Sequence, residues 1–204
     1  MEPLLPECYF HIYNRAIGNE LLFREDKNYT FFIEKYKQYL TPIADTLAFC
    51  LMPNHFHLLI CLKPQATIEA QLLSSAKGAK NYPAADCIEK RELFLSKYIS
   101  KQFSNLFSSY TQAYNLIYNR RGSLFLKNFK RKPVEDDGYL IRLVNYIHRN
   151  PVNHGFVSQP QQWKYSSYNA IVSDQPTLIK RDEVLQWFDG LANFKYNHFY
   201  SLEL

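Results

Sequence analysis

No aspartate or glutamate occurs between Leu93 and Val134. The same stretch carries Lys97, Lys101, Arg120, Arg121, Lys127, Lys130, Arg131 and Lys132, with tyrosines and phenylalanines interleaved. Long cationic side chains contact phosphates and aromatic faces stack on unpaired bases, so this run suits a nucleic acid better than a merely solvated basic surface. Other absences narrow the reading further. No apolar run approaches the roughly 20 residues that span a bilayer, so no membrane is expected. The start, MEPLLPECYF, lacks a basic segment followed by an apolar core, so no secretory signal is expected and the chain reads as cytoplasmic. Cys8, Cys50, Cys61 and Cys87 lack paired zinc-type spacing; Cys50 and Cys61 sit in apolar strand patterns and read as free thiols of a reducing compartment. There is no phosphate-binding P-loop, and hence no sign of a nucleotide energy source. Internal repeats and low-complexity tracts are also missing.

What is present is a chain of 204 residues with 47% hydrophobic content, enough for one domain with a real core. Cys8–Arg15 alternates as a first strand. A helix follows over about 26–41, with Asp26 as its expected cap and Pro42 beyond its end. Asp45–Leu51 and His55–Leu62 form two strands joined by a Met-Pro-Asn turn. Residues from 64 to about 100 read as an inserted segment. Phe103, Phe107, Tyr110, Tyr114 and Ile117 recur at intervals of 3 or 4 and predict the core stripe of a long helix, closed by Asn119–Gly122. Leu124–Val134 is a basic loop or strand. Asp136-Asp137 opens another helix, expected to end before Pro151. A short helix is expected over 181–188 in a C-terminal extension of about 171–204. This order predicts an α+β fold: a ferredoxin-like antiparallel sheet packed by helices, with the insertion and a C-terminal helical tail, all one domain over 1–204.

Within the third strand, MPNHFHLLI places two histidines around one bulky apolar residue. Side chains two apart on a strand share a face, so His55 and His57 project together from backbones roughly 7 Å apart. Two imidazoles so placed can converge on one metal ion or stand as hydrogen-bonded core histidines, and the spacing alone does not choose. On the helix from Asp137 to Asn150, a projection of about 100° per residue puts Leu140, Val144 and Ile147 on the core stripe, with Leu143 at its edge. Tyr146 lies beyond that edge and Asn150, four residues on, shares its flank, while His148 points elsewhere. The commoner role of such a tyrosine is a boundary aromatic.

MPNHFHLLI and YIHRNPVNHGFV, in this order, resemble the single-tyrosine HUH transposases of bacterial insertion sequences, and most nearly the REP-associated tyrosine transposases that handle repetitive extragenic palindromes. The resemblance runs from about Cys8 to Ala170 and includes the NRRG stretch and the WKYSSY close. It implies a ferredoxin-like fold, a divalent metal (Mg²⁺ or Mn²⁺) and cleavage of single-stranded DNA, with hairpins or palindromic repeats as partners, through a covalent 5′-phosphotyrosine. Carried onto this sequence, it makes His55 and His57 metal ligands, Tyr146 the nucleophile and Asn150 a third, amide-type ligand. Arg120, Arg121, Lys127, Lys130, Arg131 and Lys132 become the expected DNA contacts. Some relatives are homodimers in which one chain's tyrosine serves the other's histidines, whereas nearer branches act as single chains, so both arrangements stay open. Two other readings compete: a domesticated DNA-binding protein acting on repeats without transposition, and a zinc-stabilised structural protein, which has only two convincing ligands.

Overall fold

The computed structural model describes residues 2–74, 80, 82–83 and 88–200. Four strands, β1 (Tyr9–Arg15), β2 (Ala44–Met52), β3 (His55–Leu62) and β4 (Lys130–Val134), form one sheet in the order β2-β3-β1-β4. Every neighbouring pair is antiparallel. β1 and β2 are linked by helix α1 (Asp26–Tyr39); β3 and β4 are linked through α2 (Gln65–Leu73) and the 30-residue α3 (Ile88–Ile117). This interleaving of two βαβ units is the ferredoxin-like α+β arrangement that the sequence predicts.

Strand alternation divides the sheet into two faces with different work. On one, Ile12 pairs with Leu58 and Asn14 with Phe56, and the apolar members of this face pack under α1 and α3. Phe32 of α1 meets Phe56 with ring centroids 5.5 Å apart. The buried stripe of α3 is Leu95, Ile99, Phe103, Leu106, Tyr110 and Tyr114, whereas Ile117, expected in that stripe, is exposed at the helix end. The other face carries Tyr13 paired with His57, and Arg15 paired with His55. Its apolar part is covered by α4 (Asp137–Asn153), which lays Leu140, Leu143, Val144 and Ile147 against Leu47, Ala48, Cys50, Met52 and Leu59.

Three local expectations are corrected. The N-cap of α1 is Glu25 in a reciprocal capping box with Asn28, and Asp26 instead pairs with Lys164. Helix α4 does not stop before Pro151 but runs through it to Asn153. A proline in the last turn costs one hydrogen bond, and the turn is held by His154 N–H donating to Asn150 O and Phe156 N–H to Pro151 O. Finally, residues 88–100 of the expected insertion are the opening turns of α3, and Gln65–Leu73 is helical with Ile68 and Leu72 buried. Residues 75–79, 81 and 84–87, Cys87 among them, lie outside the described residues. Cys50 is buried and Cys61 half-buried, both as free thiols.

The tail adds α5 (Tyr168–Val172), α6 (Arg181–Trp187) and α7 (Leu191–Tyr200), of which the sequence predicted α6. It also shields the edge of β2: Leu51 N–H donates to Tyr165 O, Ser167 N–H to Phe49 O and Lys180 N–H to Thr46 O. His148 of α4 is fully buried between His198 of α7 (2.8 Å) and Ser167 Oγ (2.7 Å). Burial holds His198 down to about 4 from the ordinary 6.5. A histidine kept neutral in the fold but protonated in the unfolded chain stabilises above 6.5 and loses that contribution as pH falls towards the folded value. Lowering pH from 7.5 to 5 should therefore remove about 2 kcal/mol attributable to His198. Urea unfolding of His198→Gln, which cannot titrate, should show a correspondingly flatter profile; an unchanged profile would contradict this.

Candidate active site

The polar side of the sheet meets the C-terminal turns of α4, and there the residues singled out by the sequence come together. His55 and His57 share the β3 face, with ring centroids 5.2 Å apart and planes nearly perpendicular. Asn150 reaches down from α4 so that its Oδ1 lies 2.8 Å from His55 Nε2, while His55 Nδ1 lies 2.7 Å from Asn54 Oδ1. One helical turn before Asn150, Tyr146 sets its ring edge-on to His57 at 5.3 Å. All four side chains belong to one chain. Continuation of α4 past Pro151 adds a third residue at the same four-residue spacing, His154, whose ring is 5.1 Å from that of His55.

Two residues of β1 escaped the sequence reading, as did His154 of the helix end. His11 of β1 bonds His57 Nδ1 through Nε2 at 2.9 Å and stacks on it. Tyr13 stacks on the same imidazole at 5.6 Å. The signal for both was the period-2 alternation of YFHIYNR, which puts His11, Tyr13 and Arg15 on one face, but their meeting with β3 depends on strand order. His154 was hidden by ending the helix at Pro151.

Burial sets the electrostatics. It pushes His57 down to about 2, helped by the neighbouring His11, His55 and His154, and pushes His11 down to about 4, helped by Lys132. His55 is also lowered, chiefly by burial, against the opposing effect of its bond to Asn150. These imidazoles are thus neutral near pH 7, the form in which histidine binds metal. His55, His57 and Asn150 fit a divalent ion as a donor set. The 2.8 Å between His55 Nε2 and Asn150 Oδ1 is close to the about 3 Å between adjacent ligand atoms around a six-coordinate ion of short bond length. With His57 Nδ1 engaged by His11, its Nε2 is the nitrogen left for a cation. Among the described residues no three His, Cys, Asp or Glu side chains form a group that could hold a metal ion by themselves.

Tyr146, 37% exposed, stands between two clefts. The larger, about 650 Å³, is lined by His55, His57, Arg15, Lys127, Lys130 and His154 among others. The smaller, about 290 Å³, holds His11, Lys132, Tyr139 and Arg142. The pleat of β4 explains this distribution: Lys130 pairs with Tyr13 and Lys132 with His11 on the site face, while Arg131 pairs with Ile12 and points to the far side, where it bonds Ser100 Oγ at 2.9 Å. Arg120 sits away from the histidines, bonding Glu20, Asn115 and the Ser123 carbonyl, and so clasps the turn after α3. Arg121 is exposed on that turn and lines neither cleft.

Comparison with known proteins agrees with the resemblance drawn from the motifs. No protein-family model matches the chain. A Haemophilus influenzae protein named REP-associated tyrosine transposase is 26% identical over 125 residues, which is 61% of this chain and 59% of that protein, so the match spans less than two thirds of the relative's length. A solved REP-associated tyrosine transposase, bound to a REP hairpin, superimposes with a TM-score of 0.52 over 86% of each chain at 16% identity. The chain therefore shares the fold of that transposase and is similar in sequence to the Haemophilus protein. Among the described residues no helix is long and apolar enough to cross a membrane.

Proposed function

We propose that this protein is a divalent-metal-dependent single-strand DNA endonuclease and strand transferase that works through a covalent 5′-phosphotyrosine on Tyr146. The observation that carries this is the edge-on approach of Tyr146 to His57, within a chain that also brings His55 Nε2 to Asn150 Oδ1. His55, His57 and Asn150 would hold the ion, with Mn²⁺ the better chemical match to two imidazoles and an amide and Mg²⁺ the more abundant candidate. When bound, it would draw charge from the non-bridging phosphate oxygens and so lower the barrier to attack.

The chain's own residues supply the rest. Tyr146 Oη forms a bond to phosphorus as the bond from phosphorus to the 3′ oxygen breaks; the phenolic proton is balanced by the one the leaving 3′-hydroxyl gains. The ester conserves the cleaved bond, and a second 3′-hydroxyl can reverse the exchange, so no nucleotide hydrolysis is required. His11 holds the His57 ring in orientation from behind. Lys127 and Lys130 flank the larger cleft and Lys132 the smaller, positions suited to the sugar–phosphate backbone on either side of the reacting phosphate. The hairpin in the similar solved structure supports a hairpin-forming repeat as the natural substrate.

The test is covalent capture. A single-stranded hairpin oligonucleotide nicked near the scissile position should give a denaturation-resistant adduct with Mn²⁺ or Mg²⁺ and none with a chelator; binding without an adduct under any divalent ion would favour the domesticated DNA-binding reading. The lysines make a separate prediction. Replacing Lys127, Lys130 and Lys132 by Gln should weaken binding of all single strands and reduce the slope of log affinity against log salt by about 2, since each single-strand phosphate contact contributes about 0.7. An unchanged slope would place the DNA path elsewhere.

A further inference from the structure

The larger cleft beside Tyr146 does not end at the sheet edge. Asn14, Leu126 and Asn128 line it and also line a second groove, about 500 Å³, between α3 and residues 122–131. The two spaces differ sharply in chemistry. The first carries Arg15, Lys127 and Lys130; in the second, among the described residues, the charged residue is Arg131, lying 4.4 Å over the Phe129 ring, and no carboxylate lines it. Its helical wall presents Ser104, Ser108, Thr111 and Gln112 at spacings of 3, 4 or 1, one continuous flank of α3. Among the described residues no hydrogen bond engages the side chains of Ser108, Thr111 or Gln112, and the half-buried Phe107 lines the groove beside them.

Uncharged hydroxyl and amide groups both donate and accept. Phosphate oxygens only accept and are matched better by the lysines of the neighbouring cleft. Base edges present donors and acceptors together, and an amide such as Gln112 pairs with them bidentately. We propose that this groove reads the identity of unpaired DNA bases next to the phosphodiester held at Tyr146, while the lysine-lined cleft holds the backbone without regard to sequence. The strand would pass over the saddle made by Leu126 and Asn128. Asn128 adopts a left-handed backbone (φ 63°), which gives the chain its turn at that point. This inference rests on the single-strand nuclease reading and adds a specificity-determining surface to it.

The experiment uses the full chain and a single-stranded DNA pool with 20 random positions. Rounds of binding to the wild type should enrich defined sequences held at least tenfold more tightly than the starting pool. The variant Ser108→Ala/Thr111→Val/Gln112→Ala alters exposed or half-buried positions on the outer face of α3, and its melting temperature should match wild type. It should bind the enriched sequence no more than about twofold better than the pool, a loss of most of the discrimination expected from base-edge contacts. The salt slope of pool binding should stay unchanged, because no phosphate contact is removed. A variant that keeps the tenfold preference overturns the groove assignment. A wild type that forms the covalent adduct but enriches nothing also overturns it while leaving the nuclease reading intact. Absence of any adduct on enriched, nicked DNA with Mn²⁺ or Mg²⁺ removes the nuclease reading, and this inference with it.

Discussion

Tyr146→Phe should eliminate covalent capture of a nicked hairpin oligonucleotide while leaving the protein folded and able to bind DNA. The substitution removes one oxygen and retains the ring. The ring provides the packing against His57 and His11, and among the described residues the hydroxyl makes no hydrogen bond whose loss would strand a partner. Stability should therefore change by less than about 0.5 kcal/mol, the usual range for a partly exposed site without special contacts. The adduct should fall below detection, because no other atom at this position can form the ester. Two tyrosines are close enough to serve as controls. Tyr139 shares the smaller cleft with Tyr146, and Tyr13 lines both clefts. Tyr13→Phe and Tyr139→Phe should both retain the adduct.

The second large effect belongs to the histidines. His55→Ala and His57→Ala should each abolish adduct formation, and isothermal titration should show Mn²⁺ binding weakened at least tenfold, as for a lost metal ligand. Their consequences for stability should differ. His55 has the more open position, whereas His57 is 7% exposed and packed between His11, Tyr13 and Tyr146. Truncating His57 opens a cavity and should cost about 1–3 kcal/mol, so His57→Gln is the cleaner probe of chemistry. Tyr146→Phe should bind Mn²⁺ as well as wild type does. Unaltered Mn²⁺ affinity in the double His55→Ala/His57→Ala variant would remove the assignment of these residues as ligands.

Much of this arrangement was legible in the sequence because it depends on short-range periodicity. The period of two puts His55 and His57 on one face and leaves Phe56 for the core; the period of 3.6 puts Tyr146 and Asn150 on one flank of α4 and Leu140, Val144 and Ile147 on another. What periodicity cannot supply is which strand lies beside which. His11 became part of the site only because β1 sits between β3 and β4, and the same strand order decides that Lys130 and Lys132 face the histidines while Arg131 faces α3. Sequence proximity had grouped these three cations together. Arg120 shows the same limit, since its partner Glu20 lies 100 residues away. Pro151 misled for a local reason: a proline in the last turn forfeits little, so the helix continues and delivers His154 to His55.

Peptide mapping of the covalent adduct by mass spectrometry identifies the nucleophile itself. Wild-type protein is incubated with the nicked hairpin oligonucleotide and Mn²⁺, digested with nuclease and protease, and the residual nucleotide is located by fragmentation. A 5′-phosphate-linked nucleotide is expected on the peptide containing Tyr146, with the 3′-hydroxyl free on the released strand. A nucleotide carried by Tyr13, Tyr139 or any other residue, or an adduct that survives in Tyr146→Phe, would contradict the assignment of Tyr146.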